Sequence, residues 1–270
     1  MELFNELSAD RQQAVEDFLT FIPIYESRRR IISLEALLRR HRKRIQGRVC
    51  MEAGPGNGHF TRFMCELGAE KVYGVENSAV LLDIARRNHP DLKQVIWEES
   101  DIRDYEPPEA IDLLFHEFYG SLVLDETMLA LQDLAFSPKM IVPNGGRLWA
   151  MPLSEAEVME QDESYQPSWK SALEGALISE LFSGIQFRPT WEVFHWEVSD
   201  KRREFHFKLP EKTDFLAFCG EITHEGKKVL DMAWTHNWQV LYTPVCGSEF
   251  QLRFEYGDSN HTLVYFDWVK

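Results

Sequence analysis

Apolar positions along this 270-residue chain follow two regimes, which meet near Pro152. Before it, compact apolar runs alternate with stretches whose apolar residues recur every three or four positions. That pattern predicts strands alternating with helices, βαβ units and a parallel sheet. "GRVCMEAGPGNG" reads as a short strand ending in a glycine-rich turn, and "KVYGVE", "KQVIWEE" and "AIDLLF" as further buried strands. "HFTRFMCELGA", "SAVLLDIARRN" and "ETMLALQDLAF" read as helices, the first ended by Gly68. "VPNGGRLWAM" reads as a turn leading into a strand. Two helices come first, over about 8–21 and 27–44, parted around Pro23.

Beyond Pro152 the pattern changes. Residues 154–183 are polar, then helical around "SWKSALEGALISELF". After them, "TWEVFHWEV", "REFHFKL", "DFLAFCGEI", "NWQVLYTPV", "EFQLRFEY" and "TLVYFDW" alternate aromatic or β-branched residues with polar ones. An antiparallel sheet or barrel is expected there. The predicted organisation is a helical N-terminal extension (1–46), a doubly wound α/β domain (47–152) and a β-rich, barrel-like domain (153–270).

Composition narrows the function classes. With 44% hydrophobic and 13% aromatic residues the chain has a core and is not disordered. No apolar stretch approaches the roughly 18 residues of a membrane helix, and "MELFNELSADRQQ" lacks the basic-then-apolar pattern of a secretory signal. The four cysteines form no CxxC pair, so reduced thiols and a cytoplasmic location are expected. No His, Cys or carboxylate cluster has metal-ligand spacing, and no metal site is expected. A net charge of −15 disfavours nucleic acid and favours basic partners. One tract runs against it: nine Arg or Lys residues lie between Arg28 and Arg48. Ile31, Leu34, Leu37 and Leu38 recur there at helical spacing, so the basic residues form a solvated helix face. A second reading gives an arginine among them an anion to bind.

The candidate chemistry begins at "EAGPGNG". Gly54, Gly56 and Gly58 follow a strand and let the backbone turn sharply and approach a ligand closely. The helix beyond offers uncommitted N–H groups. Glu76 ends the next strand, placed to accept from ribose hydroxyls. A dinucleotide turn prefers G-x-G-x-x-G, whereas this one is G-x-G-x-G, followed by His59 and preceded by the acidic Glu52. E/D-x-G-x-G-x-G resembles the first motif of class I S-adenosylmethionine-dependent methyltransferases, a Rossmann-like fold. The resemblance favours S-adenosylmethionine over NAD as cofactor. It implies that Glu52 and the turn face the methionine part and ribose, Glu76 the ribose hydroxyls, and Asp101 with the Ile102 backbone the adenine.

Residues after the fourth strand of such a sheet face the acceptor. "HEFYGSLVLDETML" starts there, and it resembles the double-glutamate loop of the protein arginine methyltransferases. Glu117, Gly120, Leu122, Glu126, Met128 and Leu129 carry the likeness, with the family's nine-residue interval between glutamates. "VPNGGRLWAMP" is similar to the family's following turn and strand. "WTHNWQVLYTP" resembles its threonine-histidine-tryptophan loop through Thr235 and His236. Arg30 precedes Glu52 by the interval of the family arginine that binds the cofactor's carboxylate.

The resemblance implies a methyltransferase acting on a guanidinium, as in arginine of a basic protein or peptide. The chemistry is coherent. A guanidinium stays protonated in water, and two carboxylates can grip its planar fork and leave one nitrogen facing the methyl donor. His236 would accept or relay the released proton. The chain also departs from the family. His116 replaces a serine, Phe118-Tyr119 replace Trp-Met, Ser121 replaces a tyrosine, and Asn237 takes the place of the loop tryptophan. Phe18, Phe21 and Tyr25 are loose candidates for the aromatic segment over the cofactor. Ser27, beside Glu26, takes the place of the acidic partner of His236. The stretch that normally carries the dimerisation arm is short, which leaves a homodimer open. Two other readings stay open: a methyltransferase of this fold acting on a small molecule or another side chain, and a silent cofactor-binding interaction module.

Overall fold

The computed structural model describes residues 27–182, 184–235, 238–257 and 262–269. The helix expected over 8–21, the aromatic candidates Phe18, Phe21 and Tyr25, Glu26, and His236 with Asn237 lie outside the described residues. None of the described helices is long and apolar enough to cross a membrane. The described residues fall into two compact units. The first comprises residues up to Glu117, Asp133–Pro143 and Thr235; the second comprises Phe118–Gln132, Asn144–Trp234 and residues from Trp238 on.

The first unit runs α1 (Arg28–Arg40), α2 (Arg42–Ile45), β1 (Val49–Ala53), α3 (His59–Glu66), β2 (Lys71–Glu76), α4 (Ala79–Asn88), β3 (Val95–Glu99), β4 (Leu113–His116) and β5 (Ile141–Val142). Its five strands form one parallel sheet in the order β3-β2-β1-β4-β5. Met51 at the centre of β1 sits opposite Tyr73 on one side and Leu114 on the other. Sheets covered on both faces need apolar residues at successive positions, and all four residues of β4 are buried. The helices dock by their apolar stripes: Leu34, Leu37 and Leu38 from α1, and Phe60, Phe63 and Met64 from α3. Strand order therefore reverses beside β1, where such sheets open a crevice at their carboxyl ends.

The second unit contains a 3₁₀ turn at Met128–Gln132, then β6 (Gly145–Leu153), α5 (Glu155–Gln161), α6 (Ser168–Ala172), β7 (Ile178–Ser179), β8 (Trp191–Glu197), β9 (Glu204–Lys208), β10 (Phe215–His224), β11 (Lys227–Asp231), β12 (Leu241–Pro244), β13 (Glu249–Tyr256) and β14 (Thr262–Val269). Two antiparallel sheets result. One is ordered β7-β12-β10-β6-β8 with β11 beside β10, and the other β14-β13-β9. Strand β10 is buried at every position and pairs with β6 from Phe215↔Leu153 to Thr223↔Gly145. Strand β6, which the sequence pattern sets ahead of the change at Pro152, is thus a strand of the second unit.

Two expected helices are shorter than the pattern implies. "ETMLALQDLAF" yields only the 3₁₀ turn, where Met128, Leu129, Ala130 and Leu131 are all buried. Burial on every side removes the amphipathic stripe that favours an α-helix in a folded domain. "SWKSALEGALISELF" stops as a helix after Ala172. Gly175 takes a φ of +78°, and Ile178 and Ser179 then pair with Tyr242 and Leu241 of β12.

Candidate active site

The carboxyl ends of β1, β2 and β4 carry three acidic residues, Glu52, Glu76 and Glu117. At the end of β1, Gly54, Gly56 and Gly58 all have left-handed φ values, +69°, +54° and +83°. The turn is closed by Gly58 N–H donating to the Pro55 carbonyl at 2.8 Å. The Gly54 N–H donates to Val75 of β2 at 2.9 Å. A Cβ on Gly58 would stand 2.7 Å from His89 Cδ2 and 3.0 Å from the Trp97 ring. Strain in φ and this crowding together predict that Gly58→Ala costs about 1–3 kcal/mol. The measurement is the urea midpoint at constant m-value; an unchanged midpoint would show that the turn tolerates a side chain.

Two carboxylates brace the turn. Glu76, buried at the end of β2, accepts from the N–H of Gly56 at 3.1 Å and of Ser78 at 3.1 Å. Glu52 is buried on β1 and accepts from the Thr61 hydroxyl on α3. Burial pushes Glu52 up to about 8; hydrogen bonds from Thr61 oppose the rise, the nearby Glu117 adds to it and Arg30 opposes it. Asp101, just past β3, is gripped by Arg103 at 2.8 and 3.1 Å, and it also accepts the Arg103 N–H at 2.8 Å. Ile102 beside it is buried.

Glu117 follows the last residue of β4, and both of its oxygens accept from one guanidinium, Arg30 on the first turn of α1. Nε donates to Oε1 and the terminal nitrogen to Oε2, a fork-to-fork pair. Both side chains are largely withdrawn from solvent, at 8% exposure for Arg30 and 13% for Glu117. Arg30 also lies over the Phe60 ring, 5.4 Å from its centroid. Burial drives the Glu117 carboxyl upward and Arg30 opposes that. A proton on either oxygen would cost one of the two bonds, so the paired geometry belongs to the ionised form. Arg30 and Glu117, 87 residues apart, thus hold each other. His116, the residue before, is buried and donates from Nε2 to the Pro143 carbonyl at 2.8 Å. That bond gives a structural reason for histidine at this position.

The rest of the loop lies in the second unit and is tied down there. Gly120 accepts from the Val123 N–H at 2.8 Å. Asp125 Oδ1 accepts from the Leu122 N–H at 2.8 Å, and the carboxylate fills the space that a Cβ on Gly120 would need. Burial pushes Asp125 up to about 6 against the pull of its backbone donors. The Tyr119 hydroxyl donates to the Gly145 carbonyl at 3.0 Å, and Trp238 Nε1 donates to the Tyr119 carbonyl. The Glu126 carbonyl accepts from the Thr262 hydroxyl, while the Glu126 residue is exposed. Val123 holds a φ of +75°, costly for a β-branched residue. Gly120→Ala is expected to displace Asp125 and break this turn, lowering the thermal midpoint; an unchanged midpoint would show that Asp125 does not pin the loop.

The donor set fits S-adenosylmethionine better than a dinucleotide. Carboxyl groups at the ends of β1 and β2 suit a ligand with hydroxyl donors and a positive centre, and an acid at the mouth of the turn is a poor neighbour for a pyrophosphate. Comparisons with known proteins agree. Residues 50–134 match the family model described as a methyltransferase domain. A probable protein arginine N-methyltransferase 6.1 from Oryza sativa subsp. indica is 30% identical over 128 residues, 44% of this chain and 34% of that protein. A probable histone-arginine methyltransferase CARM1 from the same source is 31% identical over 129 residues, 44% of this chain and 24% of that one. The matched stretch thus spans about a third or less of these curated relatives. Among solved structures, Arabidopsis thaliana protein arginine methyltransferase 10 superposes with a TM-score of 0.64 at 15% identity, covering 91% of this chain and 92% of that one.

The chain has the fold of the protein arginine methyltransferases.

In this arginine-methyltransferase fold the expected strand ends carry the expected residues. Glu52, Gly54, Gly56, Gly58, Glu76 and Glu117 share the carboxyl edge of one sheet, and Arg30 joins them through Glu117. Glu126 falls in the second unit, and His236 lies outside the described residues. Two contributors escape a reading of the sequence: Thr61, which holds Glu52, and Asp125, which holds the loop. Nothing local singles out Thr61 on its helix. Asp125 had a signal, an aspartate three residues after Leu122, the spacing of a side chain closing its own turn.

Proposed function

We propose that this chain transfers a methyl group from S-adenosylmethionine to a guanidinium nitrogen of an arginine in a basic protein or peptide. The observation that carries the reading is Glu117 at the carboxyl end of β4, holding a guanidinium fork with both oxygens. An acceptor arginine requires the same kind of contact. A carboxylate has about four acceptor positions, and Arg30 uses two of those on Glu117, one on each oxygen. Glu117 and Glu126 are assigned to the acceptor's guanidinium and His236 to the departing proton. Arg30, Glu52, the three glycines, Glu76, Asp101 and Ile102 are assigned to the cofactor. Bound S-adenosylmethionine supplies an electrophilic methyl group on a sulfonium. The chain's own part is positioning, which alone can supply much of the rate of an in-line displacement. An overall charge of −15 supports a basic acceptor through long-range attraction.

Calorimetry with S-adenosylhomocysteine is expected to show one-to-one binding, and its absence would remove the cofactor assignment. Radiolabelled S-adenosylmethionine is expected to label arginine-rich proteins. Label on small guanidino compounds with none on protein would move the acceptor to a small molecule.

A further inference from the structure

The basic tract of the sequence is only partly used by the site above, through Arg30. Three of its other residues, Lys43, Arg44 and Arg48, have a place of their own at the opposite edge of the parallel sheet. Lys43 and Arg44 on α2, Arg48 just before β1, Asp112 just before β4, and Lys139 and Met140 just before β5 line one cleft of about 450 Å³. Four cations therefore face one carboxylate. Asp112 is already engaged: it accepts from Lys139 Nζ at 2.6 Å and from the Val49 N–H at 3.3 Å. The hydrogen bond from Lys139 holds its carboxyl below the ordinary range. No acidic residue occurs in the sequence between Glu35 and Glu52. In a chain of net charge −15, this is a local reversal built from two separate segments, 43–48 and 139–140.

We infer that this cleft binds a compact phosphate-class anion, of the size and charge of a diphosphate. Guanidinium forks match phosphate oxygens in pairs, and the ammonium groups add point charge. The volume lies in the range of small-molecule sites. A long polyanion is disfavoured by the chain's net charge of −15. The site lies at the amino ends of the strands, whereas the glycine turn and Glu117 lie at their carboxyl ends, so the inference stands without the methyltransferase assignment.

The test is titration calorimetry of the full chain with inorganic pyrophosphate at low ionic strength. Wild type is expected to bind, with affinity falling as salt is raised. The double variant Arg44→Gln/Arg48→Gln is expected to bind at least tenfold more weakly. Melting without ligand reads its folding, and if that variant is unstable, the exposed Lys43→Gln carries the same comparison. Inorganic phosphate should bind more weakly than pyrophosphate. The inference is overturned if wild type does not bind pyrophosphate, if the folded variants bind it as wild type does, or if a single-stranded oligonucleotide binds more tightly than pyrophosphate.

Discussion

Glu117→Gln is expected to lower methyl transfer by about 10²-fold or more, the scale lost when a charged contact to the reacting group is removed. The amide turns an N–H toward one of the Arg30 donors, so one bond of the fork becomes a repulsion. It also removes the counter-charge of a buried guanidinium, and breaking a buried pair from one side costs about 3–5 kcal/mol. Activity and stability therefore fall together at this position. Glu126→Gln separates them: the residue is exposed, so transfer should fall with a much smaller change in thermal midpoint. Arg30→Lys keeps the charge and loses the planar fork, and it should cost stability as well as cofactor affinity. Initial rates with labelled cofactor and melting curves on the same preparations measure all three. Transfer within threefold of wild type in Glu117→Gln would remove the carboxylate clamp from the reading.

The second large effect is on the pH dependence of stability. Glu52 sits near 8 in the folded chain against 4.5 for an ordinary glutamate. Between those values the folded chain holds a proton that the unfolded chain has released. Stability contributed by Glu52 is thus full below about pH 4.5 and is lost as pH rises toward 8, by up to about 1.4 kcal/mol per pH unit. Asp125, near 6 when folded, adds loss in the same direction over its lower range. Glu52→Gln removes the larger part, so its urea midpoints at pH 5, 6, 7 and 8 should vary less than those of wild type. Parallel curves for the two proteins would rule out the protonated Glu52. The same proton predicts that a cationic ligand beside Glu52 draws it toward ionisation. Proton release on binding should then be larger for S-adenosylmethionine than for its neutral demethylated product, read by calorimetry in buffers of different ionisation enthalpy.

The parallel sheet was legible because period and punctuation agree. A glycine turn follows β1 and Asn77 follows β2, and β1 to β4 form at the expected runs, while the two-residue β5 lies outside them. The acidic strand ends were legible too, since each lies in or directly after its strand. What was not legible depends on contacts distant in sequence. The Arg30–Glu117 pair joins residues 87 apart, and nothing local selects that partner among nine basic residues. The 3₁₀ turn at Met128–Gln132 looks helical in sequence because propensity is local, while its all-round burial is tertiary. Strand β11 was missed because "KKVLD" is short and charged. Its signal was the turn before it, where Glu225 and Gly226 take φ values of +49° and +70°, as a two-residue hairpin requires.

The two compact units also limit how the chain can be cut. The path leaves the first unit after Glu117, returns for Asp133–Pro143 and leaves again at Asn144. Neither unit is an uninterrupted stretch of gene. A fragment ending at Glu117 would lack β5, whose Ile141 and Val142 pair with Leu114 and Phe115 of β4. It would bare an apolar strand edge of the kind that recruits other chains. Expression of the cofactor half alone should therefore give aggregates, whereas two chains co-expressed from a break in an exposed turn such as Glu225-Gly226 leave every strand of the parallel sheet its neighbour.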